Sequence, residues 1–530
     1  MRLENLNRHK LVLIIVLVLS ILVKSIISYY FFQFDNDKIN QAAAAKNLVE
    51  GHGLTYKEAG TADISQFQYT PLAGWPPGYP LFLAPIYMVL RDIELSAIIL
   101  LIISNILFFI IYLRLLLYLR LPLFYILLLL LLPAVSFHEY IIWSTPSDLL
   151  SVTACIYACI SALQITEGKN KIIKFSIANS LSSLLRYMYW PISFLLPAIL
   201  MLVGYKRKNK SILNQGLAGF IIALITCTGI YLFEKIYIGD SLYLYPTQKG
   251  IFWDNLSRPY PFTVTSFLNQ DFVAQQLDKL FNINYSTWVI IFFYAHLIIL
   301  FFLIHYYFKN KLYYLKNLNS RNQFFTFFTS AIYGVIIIVL SFISLRNSRF
   351  FPPPNVLNWT YISDGRYYIF MLTTFPIIVF SHLNRYTVKN LVYKFFLFSL
   401  LTIIFLNILH GFYYTTKIVN PLEPGTKAYI IQKKVENYIA DRIKTNAEKN
   451  IKTIIASNLS AYPQIAGFYD GIGLFKTEIL NKGNIYSSSR AELLLITEES
   501  YLPYYSNFIN NPKVRLQKKI DDYYSFSYTP

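Results

Sequence analysis

Apolar runs of about 17 to 25 residues, the helix length that crosses a ~30 Å hydrocarbon core, recur along the chain with short polar breaks between them. They fall near 11–32, 95–117, 121–137, 147–165, 171–189, 190–204, 212–236, 288–308, 323–345, 367–384 and 391–415. This alternation predicts a polytopic α-helical membrane protein of about eleven transmembrane helices. The first run, Leu11 to Phe32, is longer than the apolar region of a secretion signal and is not followed by a small-residue cleavage site, so it reads as a retained span. Residues 79–90, YPLFLAPIYMVL, are apolar but number only twelve and include two prolines. That length predicts a helix from about Pro80 lying flat at the membrane surface rather than a crossing.

Beyond about residue 416 the period changes. In AYIIQKKVENYIADRIK, the positions Ile431, Val435, Tyr438, Ile439 and Ile443 repeat as one face of a helix. KTIIAS and AELLLIT are short apolar runs of the kind that form buried strands. The predicted organisation is a transmembrane domain over 1–415 and a small α/β domain over 416–530, with 33–94 a first outer loop of juxtamembrane helices.

Composition and charge sharpen this reading. Of 530 residues, 55% are hydrophobic, 17% aromatic and 14% charged, too little charge for a soluble surface of that size. The net charge of +19 would suggest a polyanion partner in a soluble protein. Here the basic residues cluster in the N-terminus, the 114–120 turn, EGKNKIIK, YKRKNK, KNKLYYLKNLNSR and NRYTVKNLVYK, with only Glu4 and Glu167 as acids among them. If 79–90 does not cross, all six segments fall on one side, which the positive-inside rule makes cytoplasmic. The excess charge is then a topology signal, and nucleic acid is excluded as a partner. The long segments 33–94, 238–287 and 346–366, and the tail, face outward. Cys155, Cys159 and Cys227 lie within apolar runs, so neither a disulfide framework nor a thiolate metal site is indicated.

Candidate chemistry gathers where the outward loops meet the membrane. Asp35 and Asp37, in QFDNDKINQAAAAKNLVEGHGL, stand just past the first span. They suit the first turn of the helix that INQAAAAKNLVEG implies, and they equally suit a polar reaction at the interface. The following block, FQYTPLAGWPPGYPLFLAPIY, supplies a stiff proline–glycine turn with aromatic anchors, among them Tyr79. Asp148 follows STPS at the start of a span, where it caps the helix or binds a ligand, two roles that are compatible. Arg186, Arg349 and Arg366 are predicted at the outer face, as snorkelling helix ends or as phosphate-binding forks. His138 and Glu139 mark the exit of the preceding span. No histidine pair has metal-ligand spacing, and no P-loop or G-x-G-x-x-G occurs, so a cytoplasmic nucleotide-sugar donor has no support. GFYDGIG, residues 467–473, reads as a turn.

An acidic residue just after the first span, the helix end AKNLVEGHG and then PPGYPLFLAPIY together resemble the first periplasmic loop of the GT-C membrane glycosyltransferases. The nearest pattern is the protein O-mannosyltransferase and aminoarabinose-transferase type. YIIWSTPSDLL resembles the small-residue, proline and acidic motif at the outer start of a span in that family, which puts Asp148 in the matching place. SLLRYMYWP with Arg186, and DGRYYIFMLTTFP with Arg366, match more loosely. The resemblance runs over residues 10–200 by motif and over the remainder by layout. It departs at Gln41, where the family commonly has a tyrosine four residues after its loop aspartate. Spacing from Ala45 favours Asp37 over Asp35 as the match.

The resemblance implies an inverting transfer of a sugar from a polyprenyl-phosphate donor to a lipid, glycan or protein acceptor, on the extracytoplasmic side of the inner or plasma membrane. Asp37, with Asp35 and Asp148 as further catalytic candidates, would take the acceptor proton. Arg186, Arg349 and Arg366, with His138, Glu139 and Tyr79, would bind substrate. It implies no organic cofactor and leaves a divalent metal open at the Asp-x-Asp pair. Membrane lipids are the remaining partners. Two rival readings stand beside it: a polysaccharide polymerase or ligase working on polyprenyl-linked glycans, and a transporter. A transporter calls for charged or broken helices near the midplane, where Lys24 is the nearest charge.

Overall fold

A computed structural model describes residues 2–30, 36–59, 62–72, 75–135, 146–238, 279–282, 320–346, 369–383, 424–457, 472–474, 485–487, 489–521 and 523–529, with residue 480 and short pieces between 398 and 412. The chain divides into two compact units, one of Met1–Phe31 with Leu101–Thr415 and one of Phe32–Leu100 with Thr416–Pro530.

The first unit is helical. Its elements are α1 (Arg2–Tyr30), the greater part of α4 (Ile93–Tyr118), α5 (Leu123–Val135), α6 (Pro146–Thr166), α7 (Ile172–Leu185), α8 (Trp190–Lys206), α9 (Lys210–Ile238), α10 (Arg321–Arg346) and α11 (Ile369–Leu383). Among the described residues, six helices are long and apolar enough to cross a membrane: Lys10–Tyr29, Ile93–Tyr118, Ser147–Thr166, Tyr187–Lys206, Lys210–Tyr237 and Arg321–Leu340. The protein is a membrane protein. Leu11, Ile14, Ile15, Val18, Leu19 and Leu22 of α1 are exposed, a stripe that water would penalise and lipid welcomes. On the inner side, Phe109, Tyr112, Leu163, Leu196, Phe328 and Phe370 join one continuous core.

The helix limits differ from the apolar runs in instructive places. The runs at 121–137, 171–189 and 367–384 become helices of 13, 14 and 15 residues. The 171–189 run is broken because Arg186 adopts an extended backbone, φ −152° and ψ 127°, and Tyr187–Tyr189 form a 3₁₀ turn before α8. The predicted span 288–308 lies outside the described residues, as does most of 391–415.

The second unit is built on a seven-stranded sheet, in the order β2-β1-β4-β3-β5-β7-β6. Its strands are β1 (Thr55–Ala59), β2 (Phe67–Pro71), β3 (Lys452–Ser457), β4 (Ile472–Leu474), β5 (Ala491–Glu498), β6 (Val514–Ile520) and β7 (Tyr523–Tyr528). β3 pairs in parallel with both β4 and β5, and its two faces are buried in separate apolar clusters, Ile455 in one and Ile454 with Ala456 in the other, which explains the unbroken apolar runs there. Leu494 and Ile496 point to the helix α12 (Pro424–Glu448), meeting Val435, Ile439 and Ile443. Leu493 and Leu495 point the other way, into a cluster with Ile454, Tyr505, Phe508 and Phe526. The alternation is that of a strand buried on both sides.

The first loop, expected as part of the transmembrane domain, packs with the tail instead. Its hairpin β1–β2 joins the sheet through Glu58 opposite Leu474, and Lys452 Nζ donates to the Ser65 carbonyl at 2.9 Å. GFYDGIG is not wholly a turn: Ile472–Leu474 form β4, because a strand flanked on both sides makes its ladder from main-chain groups whatever the side chains are. In the same unit α2 (Asn36–Val49) packs on α3 (Gly78–Leu90). Tyr87 Oη of α3 donates at 3.1 Å to Glu50, just past the end of α2, where Lys46 also pairs with Glu50 at 3.6 Å. At about 20 Å, α3 is too short to cross a hydrocarbon core.

Candidate active site

The residues singled out from the sequence are dispersed over both units. Asp37 lies in the first turn of α2, where negative charge favours the helix dipole, and Tyr79 is the second residue of α3 and fully buried. Both belong to the loop–sheet unit. Asp148 and Arg186 belong to the helical unit. Asp35, His138, Glu139, Arg349 and Arg366 lie outside the described residues.

Asp148 and Arg186 meet. α6 starts at Pro146, whose fixed φ suits the first helical position, and Asp148 follows within the first turn. α7 ends where Arg186 turns extended, and Pro191 at the start of α8 cannot continue the preceding helix, so the chain reverses at this point. Asn179 Nδ2 donates to the Ser193 carbonyl at 2.8 Å and holds the two arms of the reversal together. The Arg186 side chain is thereby brought to the start of α6, where its Nε and a terminal nitrogen both donate to Asp148 Oδ1. Asp148 is 4% and Arg186 7% exposed. Neither charge is tolerable alone at that depth, so each requires the other.

Sequence reasoning passed over several neighbours. Tyr187 donates its hydroxyl to Glu234 of α9, and Glu234 is itself buried. Tyr189 is buried beside Asp148, Arg186 and Ser151. Lys38, next to the loop acids, is buried as well. The available signal was the ionisable group itself: Glu234 is the single acid in the 29-residue apolar helix α9, and such groups inside a membrane domain are rarely idle. Among the described residues, no group of three or more His, Cys, Asp or Glu is placed to hold a metal.

The chain has a structural neighbour. It is similar to the crystal structure of ArnT from Cupriavidus metallidurans bound to undecaprenyl phosphate, with a TM-score of 0.48, 9% sequence identity and 97% of each chain covered. No protein-family model and no curated protein matches it.

The ends of the helices sort the charges. Asp148, Arg186 and Glu234 lie at one end of the helical unit, where α6 starts, α7 gives way to α8 and α9 finishes. Arg120, Glu167, Arg207 and Arg321 lie at the other end. Four of the basic turns recognised in the sequence therefore converge on one end of the bundle.

Proposed function

We propose that the protein is a membrane glycosyltransferase that moves a sugar from a polyprenyl-phosphate donor to an acceptor at the outer membrane face, with inversion at the anomeric carbon. One observation carries this reading. The two span-end motifs that resemble the GT-C family, STPSD and LLRYMYW, are far apart in sequence yet join as the buried Asp148–Arg186 pair at the end opposite the basic turns.

The chemistry follows from the residue types. The acceptor oxygen attacks the anomeric carbon from the face opposite the phosphate. The bond from that carbon to the phosphate oxygen breaks, and its electron pair stays on the leaving phosphate. Asp37 takes the acceptor proton and later releases it to water. Guanidiniums stabilise the charge that grows on the phosphate, with Arg186 assigned first and Arg349 and Arg366 beside it. Asp148, whose Oδ1 accepts from the Arg186 guanidinium, is assigned the task of orienting Arg186.

Reconstituted membranes supplied with labelled polyprenyl-phosphate sugar test the proposal. Asp37→Asn removes the charge that accepts the proton and should lower turnover on the order of a hundredfold or more, with donor binding little changed. Arg186→Gln should weaken donor binding as well as turnover. Near-normal transfer by both Asp37→Asn and Asp35→Asn would reduce the loop acids to capping residues and overturn the assignment.

A further inference from the structure

The reversal that carries Arg186 is a short piece of chain. Arg186 stands at the end of α7, with the 3₁₀ turn Tyr187–Tyr189 between it and α8. Its N–H donates to the Ser182 carbonyl at 3.2 Å, and its carbonyl accepts from the Tyr189 N–H at 3.1 Å. A 3₁₀ turn of this length has poor hydrogen-bond geometry and does not by itself fix the direction of a long side chain.

α9 supplies a further constraint, because it runs beside both arms of the reversal. Ser180 Oγ of α7 and Thr226 Oγ1 lie 2.9 Å apart, and Ser193 Oγ of α8 and Cys227 Sγ lie 3.6 Å apart. Seven residues after Cys227, and so on the same face of the helix, Glu234 accepts a hydrogen bond from the Tyr187 hydroxyl. Tyr187 is the residue directly after Arg186. Its ring packs edge-on against Trp190, with centroids 5.2 Å apart, and Trp190 Nε1 donates to the Ser183 carbonyl at 3.1 Å. Tyr187 is thus gripped at both ends, by Glu234 at the hydroxyl and by Trp190 at the ring.

The chemical type of the grip is informative. Glu234 is 4% exposed and is the single acid of α9. A carboxyl buried in a membrane domain is expensive, and hydroxyl or thiol contacts such as those at Thr226 and Cys227 join helices at less cost. The carboxyl instead engages the residue next to the guanidinium. A hydrogen bond to a carboxyl is short and directional, so it sets the rotation of Tyr187 and, through the shared peptide, the backbone of Arg186.

We infer that Glu234 is a positioning residue, which through the Tyr187 hydroxyl fixes the direction of the Arg186 guanidinium. Its consequence for catalysis rests on the reading in which Arg186 holds the donor phosphate. There a misplacement of about 1 Å is enough to cost a binding group much of its effect.

The test uses the full chain in detergent micelles, and its first readout is phenylglyoxal modification of arginine followed by peptide mass. Arg186 should react slowly in the wild type, because Asp148 holds it. Tyr187→Phe keeps the ring and removes the hydroxyl, whereas Glu234→Ala removes the acceptor. Each should speed modification of Arg186 about tenfold, the scale of one lost hydrogen bond. Glu234→Gln keeps a carbonyl for the phenol and should restore most of the protection that Glu234→Ala loses. Arg207, at the other end of the same unit, is the internal reference and should not change. Tyr187→Phe keeps the test decisive if Glu234→Ala folds poorly.

The second readout is the donor KM in reconstituted membranes, which Tyr187→Phe should raise about tenfold in the wild type and not at all on the Arg186→Gln background. Unchanged modification of Arg186, equal acceleration at Arg186 and Arg207, or the same rise in KM on both backgrounds overturns the inference. Faster modification of Arg186 alone, with a donor KM that Arg186→Gln leaves at the wild-type value, upholds the positioning role and removes the donor assignment instead.

Discussion

Arg186 shows how far a single residue could be read in advance. Its place in SLLRYMYWP marked it as a cation at a span end, and STPSD marked Asp148 as a carboxylate at another. Their union required the reversal between α7 and α8, which no local period encodes. Breaking the pair from one side should be severe. Asp148→Ala strands a guanidinium that is 7% exposed and should destabilise the helical unit by about 3–5 kcal/mol, read as a fall in melting temperature in detergent. Replacing both partners, as Asp148→Leu with Arg186→Met, should recover much of that loss, because an apolar pair carries no desolvation penalty. A double variant no more stable than Asp148→Ala would show that the ion pair is not what Asp148 contributes. Glu234 and Lys38 escaped notice for a related reason. Their burial is a tertiary fact, and in the sequence they were single charges at the margins of apolar or helical stretches.

At the level of the helices, length and apolarity located α1, α4, α6, α8, α9 and α10, since a segment in lipid must satisfy its own backbone and a helix does so without distant partners. The contact between α8 and α9 depends on something less visible. A Cβ at Gly216 would lie 2.7 Å from the Met201 backbone nitrogen and 2.8 Å from Met201 Cγ, and one at Gly204 would lie 2.5 Å from the Leu213 backbone nitrogen. The helices approach closely only because these side chains are absent. Gly216→Ala should therefore force α8 and α9 apart and destabilise by about 1–3 kcal/mol, despite the better helix propensity of alanine. Gly229→Ala, where nothing lies within 4 Å of the added methyl, serves as the comparison and should be neutral or slightly stabilising in the same melting assay. The loss of 171–189 as one span was not legible, because the apolar run continues through Arg186 and only the extended backbone there ends the helix.

For the molecule as a whole, charge asymmetry predicts orientation. The described turns at Arg120, Glu167 and Arg207 and the start of α10 gather at one end of the helical unit, and the positive-inside rule predicts that this end is cytoplasmic. Cys155, Cys159 and Cys227 are buried, so introduced cysteines report with little background. A cysteine at Ser211 or Lys169 should react with an impermeant maleimide only after the membrane is opened, whereas one at Ser489 should react in sealed cells. Labelling of Ser211 and Lys169 from opposite sides would dismantle the topology. The amino-acid order determined the membrane class, the helical spans and the α/β character of the tail, because hydrocarbon thickness and the periods of helix and strand act on neighbouring residues. Two features came from folding alone. Asp148 meets Arg186, and β1 of the first loop pairs with β4 of the tail, through contacts between segments that carry no mark of each other in the sequence and are joined only when distant helices and strands pack.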